Sequence, residues 1–346
     1  MIDFSQVTNI TLGGTSVEQI ADSQGNILWS AYVDPSTVYF YVEDTSGQSN
    51  TLTINKGNNS APTITVYKSS DGTNWNSIGN TSTTGITATI PANGKLYLKA
   101  TANSWSTSTY FNKITASGAH NVGGNIMSLL YGDEFKGKTV FPSGSTYNFR
   151  NLFNNNTKLV SAENLVLPAT TLVSSCYSFM FQGCSSLTTA PALPATTLTD
   201  YCYQDMFRGC TSLTTAPALP ATTLANSCYY NMFNNCTSLT TAPALPATTL
   251  TEHCYQNMFY SCTSLTTAPE LPYSTLANSC YSTMFNNCSN LKTVVYYGKS
   301  PNTALYTHSN WLNSVSATGD FYNLRGAVFS SGASGIPSGW TTHTSL

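Results

Sequence analysis

The sequence predicts a multidomain, mainly β chain that continues into an α/β solenoid, and three observations predict it. Ten cysteines form two series: Cys176, Cys202, Cys228, Cys254 and Cys280, and Cys184, Cys210, Cys236, Cys262 and Cys288. Within each series the step is 26 residues, and the second series trails the first by eight. Residues 34–117 alternate apolar and polar side chains in short runs between Gly, Asn, Asp and Pro turns, as half-buried strands do. Lys, Arg, Asp and Glu together make up only 8% of the chain. A period of this size marks coils that cannot bury their apolar faces alone and therefore stack on one another.

Residues 1–33 read as short β-hairpins. Ile10, Leu12, Val17, Ile20, Ile27, Leu28 and Trp29 alternate with polar residues, with turns at Gly13-Gly14 and Gln24-Gly25. The phrase "GGTSVEQIADSQGNILW" resembles the short N-terminal segment of many phage tail and fibre proteins, which implies an attachment segment. An ordinary small β-meander is the plain alternative. The opening residues show no basic n-region and no apolar h-region, so no secretory signal is expected, and no run of apolar residues is long enough to cross a membrane.

From residue 34 to 117 the runs "TVYFYVE", "NTLTIN", "TITVYKS", "GITATIP" and "KLYLKAT" predict an antiparallel β-sandwich of immunoglobulin-like type. "SSDGTNW" is expected to be a hairpin turn that returns Trp75 to the core. The sandwich suits a spacer or a carbohydrate-binding module equally. Residues 118–146, Gly-rich and then briefly apolar, are expected to be a hinge and an N-terminal cap.

The repeats occupy residues 147–290. Each unit reads C-Y-x-x-M-F-x-x-C-[ST]-x-L-x-T, then in most copies A-P-x-L-P and a Thr-Leu step. In one copy Leu198, Cys202, Met206, Phe207 and Cys210 recur about every four residues, which predicts a helix of roughly two to three turns. Leu213 in "SLTT" is expected in one short parallel rung, kept short because Pro217 lacks a ladder donor. Upstream, "NFRNLFNNNTKLV" carries Leu152, Phe153 and Leu159 in the same apolar slots, with Asn148 and Asn156 in place of the cysteines. Downstream, Trp311, Leu312 and Val315 have the spacing of Met284, Phe285 and Cys288, so residues 291–346 are expected to close the array.

Eight residues along a helix is ~12 Å, beyond the ~7 Å that a disulfide can bridge, so the cysteines of one copy cannot pair with each other. Each series is odd in number, and the eight-residue step with no accompanying histidine does not suit zinc. All ten are therefore expected to be buried, reduced thiols acting as small hydrophobes. No metal or other cofactor is expected.

The apolar-aromatic pair, the cysteine three residues later, then Ser-Leu, Leu-Pro and a further leucine together resemble the BspA-like leucine-rich repeat. That family occurs on the surfaces of Bacteroidetes and other host-associated microbes and in proteins of their phages. The resemblance covers about residues 147–290 and implies a leucine-rich-repeat solenoid with a binding role.

The net charge is −2 and no basic stripe is present, which argues against nucleic acid as a partner. No nucleophile, metal or phosphate-loop motif accompanies His120, His253, His308 or His343, so no enzyme is expected. The acid pair Asp133-Glu134 reads as a solvated turn. Between the constant slots of the repeat, Asp205, Arg208, Tyr230, Asn231 and Tyr260 occupy variable ones. These are the candidate binding residues, facing a host-surface glycan or protein, with solvated drift as the alternative. The expected function is a non-enzymatic virion protein of tail or head fibre type, joined to other virion proteins through its N-terminal segment. The alternative is a bacterial cell-surface adhesin. Monomer and homo-oligomer are both open.

Overall fold

The computed structural model describes residues 34–271 and 275–346, preceded by the backbone of four short strands. These are Ile10–Leu12 (β1), Thr15–Val17 (β2), Gln19–Ala21 (β3) and Ile27–Ser30 (β4). β1 pairs antiparallel with β2, and β3 with β4. The rest of the expected attachment segment lies outside the described residues.

Eight strands follow: Tyr41–Asp44 (β5), Asn50–Lys56 (β6), Thr65–Ser69 (β7), Asn76–Asn80 (β8), Ile86–Ile90 (β9), Lys95–Ala100 (β10), Asn112–Ala116 (β11) and His120–Asn125 (β12). One sheet runs β12-β5-β10-β7-β8 and the other β11-β6-β9, antiparallel throughout. Alternation along β6 and β10 turns Leu52, Ile54, Leu96 and Leu98 into a core shared with Phe40, Val66 and Ile114. Asp71 holds the "SSDGTNW" turn by accepting the backbone N–H of Thr73 and of Asn74, each at 2.8 Å. Trp75 does not return to the core. It is half-buried, with its ring 4.6 Å from that of Tyr39 and with Lys99 Nζ 4.4 Å away over its face.

The expected hinge is in part a strand. β12 lies against β5, where its two glycines permit close contact: Gly124 has φ +73°, and a Cβ there would meet Tyr39 O at 2.1 Å. After a single helical turn, Ser128–Tyr131 (α1), the chain enters the repeats through Leu159–Ser161 (β13) and Leu165–Val166 (β14), both parallel to β12.

The α/β leucine-rich-repeat solenoid predicted from the sequence is not formed. The protein is nearly all β, with 25% strand and 4% helix, and the repeat copies contain neither an α-helix nor a regular strand between Val166 and Thr293 among the described residues. Each copy is instead a chain of turns with a left-handed residue at every fourth position. Ser175, Phe179 and Gly183 have φ of 56°, 59° and 71°, and Ser227, Asn231 and Asn235 have 53°, 55° and 61°. One such residue breaks a right-handed helix, so three at four-residue intervals exclude it.

The backbone groups are satisfied by an alternating rule. The N–H groups of Ser175, Tyr177, Phe179, Phe181 and Gly183 donate to the carbonyls of Asp200, Cys202, Gln204, Met206 and Arg208 in the next copy. Those of Cys176, Ser178, Met180, Gln182 and Cys184 donate three residues back within their own copy. The period near four in the apolar residues is thus a period of turns. The "SLTT" rungs shrink to single parallel bridges, such as Thr215↔Thr241 and Thr267↔Thr293, because prolines follow at once.

Side chains form ladders along this axis. The rings of Tyr177, Tyr203, Tyr229, Tyr255 and Tyr281 stack at 5.9–6.0 Å. Phe153, Phe181, Phe207, Phe233, Phe259 and Phe285 stack at 5.3–5.7 Å. All ten cysteines are free and buried. The second series has a further role: Cys184, Cys210, Cys236, Cys262 and Cys288 each donate S–H to the carbonyl of a phenylalanine in the preceding copy, at 2.9–3.1 Å. Burial pushes these thiols up, to about 12 at Cys236, so thiolate chemistry at neutral pH is suppressed.

The two ends of the array differ from its middle for visible reasons. Asn148 and Asn156 stand in cysteine slots facing the sandwich. Asn148 Nδ2 donates to Asn103 O at 3.0 Å, and Asn156 Nδ2 lies 3.3 Å from Ile114 O and 3.1 Å from His120 Nε2. Phe40 of the sandwich stacks on Phe153 at 6.1 Å, so one apolar core runs through both regions. At the far end, Tyr281 N donates to Thr307 O and Phe285 N to Trp311 O, which puts His308, Trp311 and Leu312 in the tyrosine, methionine and phenylalanine slots. Thr293–Tyr296 (β15), Gly319–Asn323 (β16) and Trp340–His343 (β17) then form a parallel three-stranded sheet.

Candidate functional site

The third left-handed position of each copy creates an edge on the surface. Non-glycine residues resist this conformation least when they are Asn, and glycine resists it not at all. Asn155, Gly183, Gly209, Asn235 and Ser261 hold it in five successive copies. The last four are each preceded by a residue whose side chain lines the surface: Gln182, Arg208, Asn234 and Tyr260. Together they line a trough of 370 Å³ that runs along the array, with Arg208 in its middle layer.

The two glycines keep the middle of the trough bare. A Cβ on Gly183 would meet Asn155 Oδ1 at 2.1 Å, whereas one on Gly209 would touch only Gly183, at 3.7 Å. The walls are amides, one phenol and one guanidinium. Their backbone N–H groups are occupied: Gly183, Gly209 and Asn235 donate to the carbonyls of Arg208, Asn234 and Tyr260 at 2.7–2.8 Å.

Arg208 and Tyr260 come together here, two copies apart in one column with Asn234 between them. Tyr230 does not join them. It is half-buried in the slot held by Gln204 and Gln256, four residues earlier in the repeat, so these candidate residues fall in two columns and not one. Asp205 and Asn231 are not ligand-facing. They are 2% and 8% exposed and occupy left-handed positions beneath the trough wall. Asp205 Oδ1 accepts from Arg208 Nη1 at 3.4 Å, and Asn231 Oδ1 from Asn234 Nδ2 at 3.3 Å, so these two brace the wall residues. Burial raises the Asp205 carboxyl to about 6, against the lowering influence of Arg208.

Asn155, Gln182, Gly183, Gly209, Asn234 and Asn235 were not singled out by sequence reasoning. Part of their signal was present as Gly or Asn recurring one residue before four of the five second-series cysteines, with Ser261 before Cys262, a pattern that a helix has no reason to keep.

A larger pair of adjoining cavities, 610 and 520 Å³, lies where the sandwich meets the array and shares Thr101, Ala102 and Asn103. Asp133 lines the first, tied to Lys99 Nζ at 2.6 Å and to the hydroxyl of Tyr39 at 2.7 Å. The hydrogen bond from Lys99, followed by that from Tyr39, holds its carboxyl below the usual range. Three of the four histidines are engaged locally: His120 Nδ1 lies 2.8 Å from Gly118 O, His253 Nδ1 lies 2.6 Å from Gln256 Oε1, and His343 Nε2 lies 2.8 Å from Asp320 Oδ1, while buried His308 has Nδ1 3.0 Å from Thr307 Oγ1 and no hydrogen-bond partner for Nε2 among the described residues. Among the described residues, no helix is long and apolar enough to cross a membrane.

Comparison of the chain with family models, curated proteins and solved structures yields no match.

Proposed function

We propose that this chain is a non-enzymatic attachment protein of a virion, of tail or head fibre type, and that it binds a host-surface glycan through the trough on its repeat array. The observation that carries this reading is the trough itself: polar, neutral but for Arg208, and built by the same backbone position in five successive copies. Amide and hydroxyl groups donate and accept in the mixture that sugar hydroxyls require, and a phenol ring offers a face for sugar C–H groups. The repeated backbone gives such a surface rigidity without a cofactor. Against acid-base catalysis in the cavity beside the sandwich stands Asp133, whose carboxyl is lowered rather than raised, the opposite of what a general acid at neutral pH needs.

The test is a glycan array and a host-cell attachment assay with the full chain and the double variant Arg208→Ala, Tyr260→Ala. Loss of attachment by a variant that still unfolds cooperatively, with a melting temperature lowered only by the loss of the Arg208 contact to Asp205, is the expected result. Unchanged attachment by the folded variant moves the binding surface to the cavities beside the sandwich. Mass spectrometry of purified virions separates the virion reading from the cell-surface adhesin, since only the former places the protein in the particle.

A further inference from the structure

Building on the glycan-binding reading above, we propose that the trough selects an acidic oligosaccharide, with a sugar carboxylate held by Arg208 at the centre and neutral sugars in the layers on either side.

Arg208 is the only Lys or Arg between residues 159 and 291. It stands in the middle of the five layers that form the trough, flanked by Gln182 on one side and Asn234 on the other. Its side chain is 47% exposed, and its ion pair with Asp205 is a single contact through Nη1 at 3.4 Å. A guanidinium has five N–H donors in a fixed fork, so one long contact leaves the bidentate edge available to a planar carboxylate. Among the residues that line the trough no second cation competes for that group.

Geometry favours a sugar chain over an acidic peptide. An extended peptide would bind by adding its backbone to a free edge, and the N–H groups along this edge already donate to the next copy. The flanking amides can take hydroxyls as donors or acceptors. Layers joined by direct backbone hydrogen bonds succeed one another at about 4.8 Å, close to the length of one sugar in an extended chain. Successive sugars therefore meet successive layers, and Gly209 leaves room beside Arg208 for the carboxyl-bearing ring.

Asp205 limits the affinity. Its buried carboxylate shares the guanidinium, whereas the same slot holds Asn231 and Asn257 in the next two copies. Asp205→Asn therefore frees the whole charge of Arg208 for the ligand while keeping a residue suited to the left-handed backbone.

The experiment is calorimetric titration of the full chain with sialylated lactose, oligogalacturonate and hyaluronan fragments, each beside its carboxyl-reduced neutral counterpart. At least one acidic member should bind about tenfold more tightly than its neutral counterpart. In Arg208→Gln that ratio should fall to about one, and in Asp205→Asn it should rise several-fold, with melting temperatures reported for both. Equal binding of the acidic and neutral members, or a ratio that survives Arg208→Gln, overturns the carboxylate assignment and leaves the glycan reading standing. Capture of polyglutamate in place of any sugar overturns it as well. No binding of either member of any pair, by a protein that still attaches to host cells, removes the glycan reading itself.

Discussion

The sandwich and the repeat array share one apolar core but are held together by different means. In the sandwich, strands far apart in sequence pair in antiparallel ladders, and Leu52 on β6 meets Ala88 on β9 and Ala116 on β11. In the array, turns follow one another locally, and order comes from residues 26 apart joined by hydrogen bonds, ring stacks and S–H contacts. What this difference teaches is that a repeat can replace regular secondary structure. Left-handed residues that would be strained singly, such as Phe179 and Thr283, are fixed because each donates its N–H to the next layer.

The ladders are where the array is easiest to break. Phe207 stacks between Phe181 at 5.5 Å and Phe233 at 5.7 Å, so Phe207→Ala should cost about 3–5 kcal/mol in denaturant unfolding. The smaller Ile54→Val in the sandwich should cost about 1 kcal/mol. A mild effect at Phe207 would mean that the array yields locally.

The wall beneath the trough carries a pH signature opposite in sign to that of the sandwich, where hydrogen bonds, first from the Ser46 side chain, lower the Asp44 carboxyl. The Asp205 pKa is raised in the folded state, from 3.8 to about 6, by burial. Its favourable contribution is complete below about pH 4 and is lost as pH rises through 6. Asp205→Asn should therefore stabilise the protein at pH 7 by on the order of 2 kcal/mol, and by much less at pH 4. Thermal melts at the two pH values check the sign; equal effects would contradict it.

The two cysteine series should respond differently to serine. Cys236 donates to Phe207 O at 3.1 Å, and a serine hydroxyl retains that acceptor. Among the described residues Cys228 carries no such S–H bond, so Cys228→Ser should cost about 1–3 kcal/mol and Cys236→Ser about 1 kcal/mol less. Equal losses would reduce the second series to packing alone.

The junction gives a smaller effect. Asn156→Cys restores the repeat's own residue where the sandwich requires an amide, removing the contacts to Ile114 O and His120 Nε2. A loss of about 1 kcal/mol is expected, and a stabilised variant would show that the asparagine is incidental.

Legibility in the sequence followed the same division. Period-two runs have one good physical reading, and Leu52, Ile54, Leu96 and Leu98 point inward as alternation requires. A period near four has two readings, because a helix of 3.6 residues per turn and a succession of four-residue turns bury the same Cys202, Met206, Phe207 and Cys210. What separates them is the Asn and Gly content of the slots between: Asn231, Asn235, Asn257 and Gly209 suit left-handed backbone and disfavour helix. Phe179 and Tyr201, also left-handed, give no such hint. Arg208 and Tyr260 could be found as variable slots; the trough floor left only the Gly or Asn before most second-series cysteines as its mark, and what that mark builds depends on the turn geometry. The constant slots were readable throughout, since Tyr203, Phe207 and Leu213 must be buried in either arrangement.

The most direct test of a turn-built array is the backbone conformation of one inner copy in solution. Carbon chemical shifts and three-bond H–N–Cα–H couplings from Cys228 to Cys236 should report left-handed φ at Asn231 and Asn235, with right-handed or extended values between them. An unbroken run of helical shifts from Cys228 to Cys236 would contradict the account and restore the helix that the periodicity first suggested.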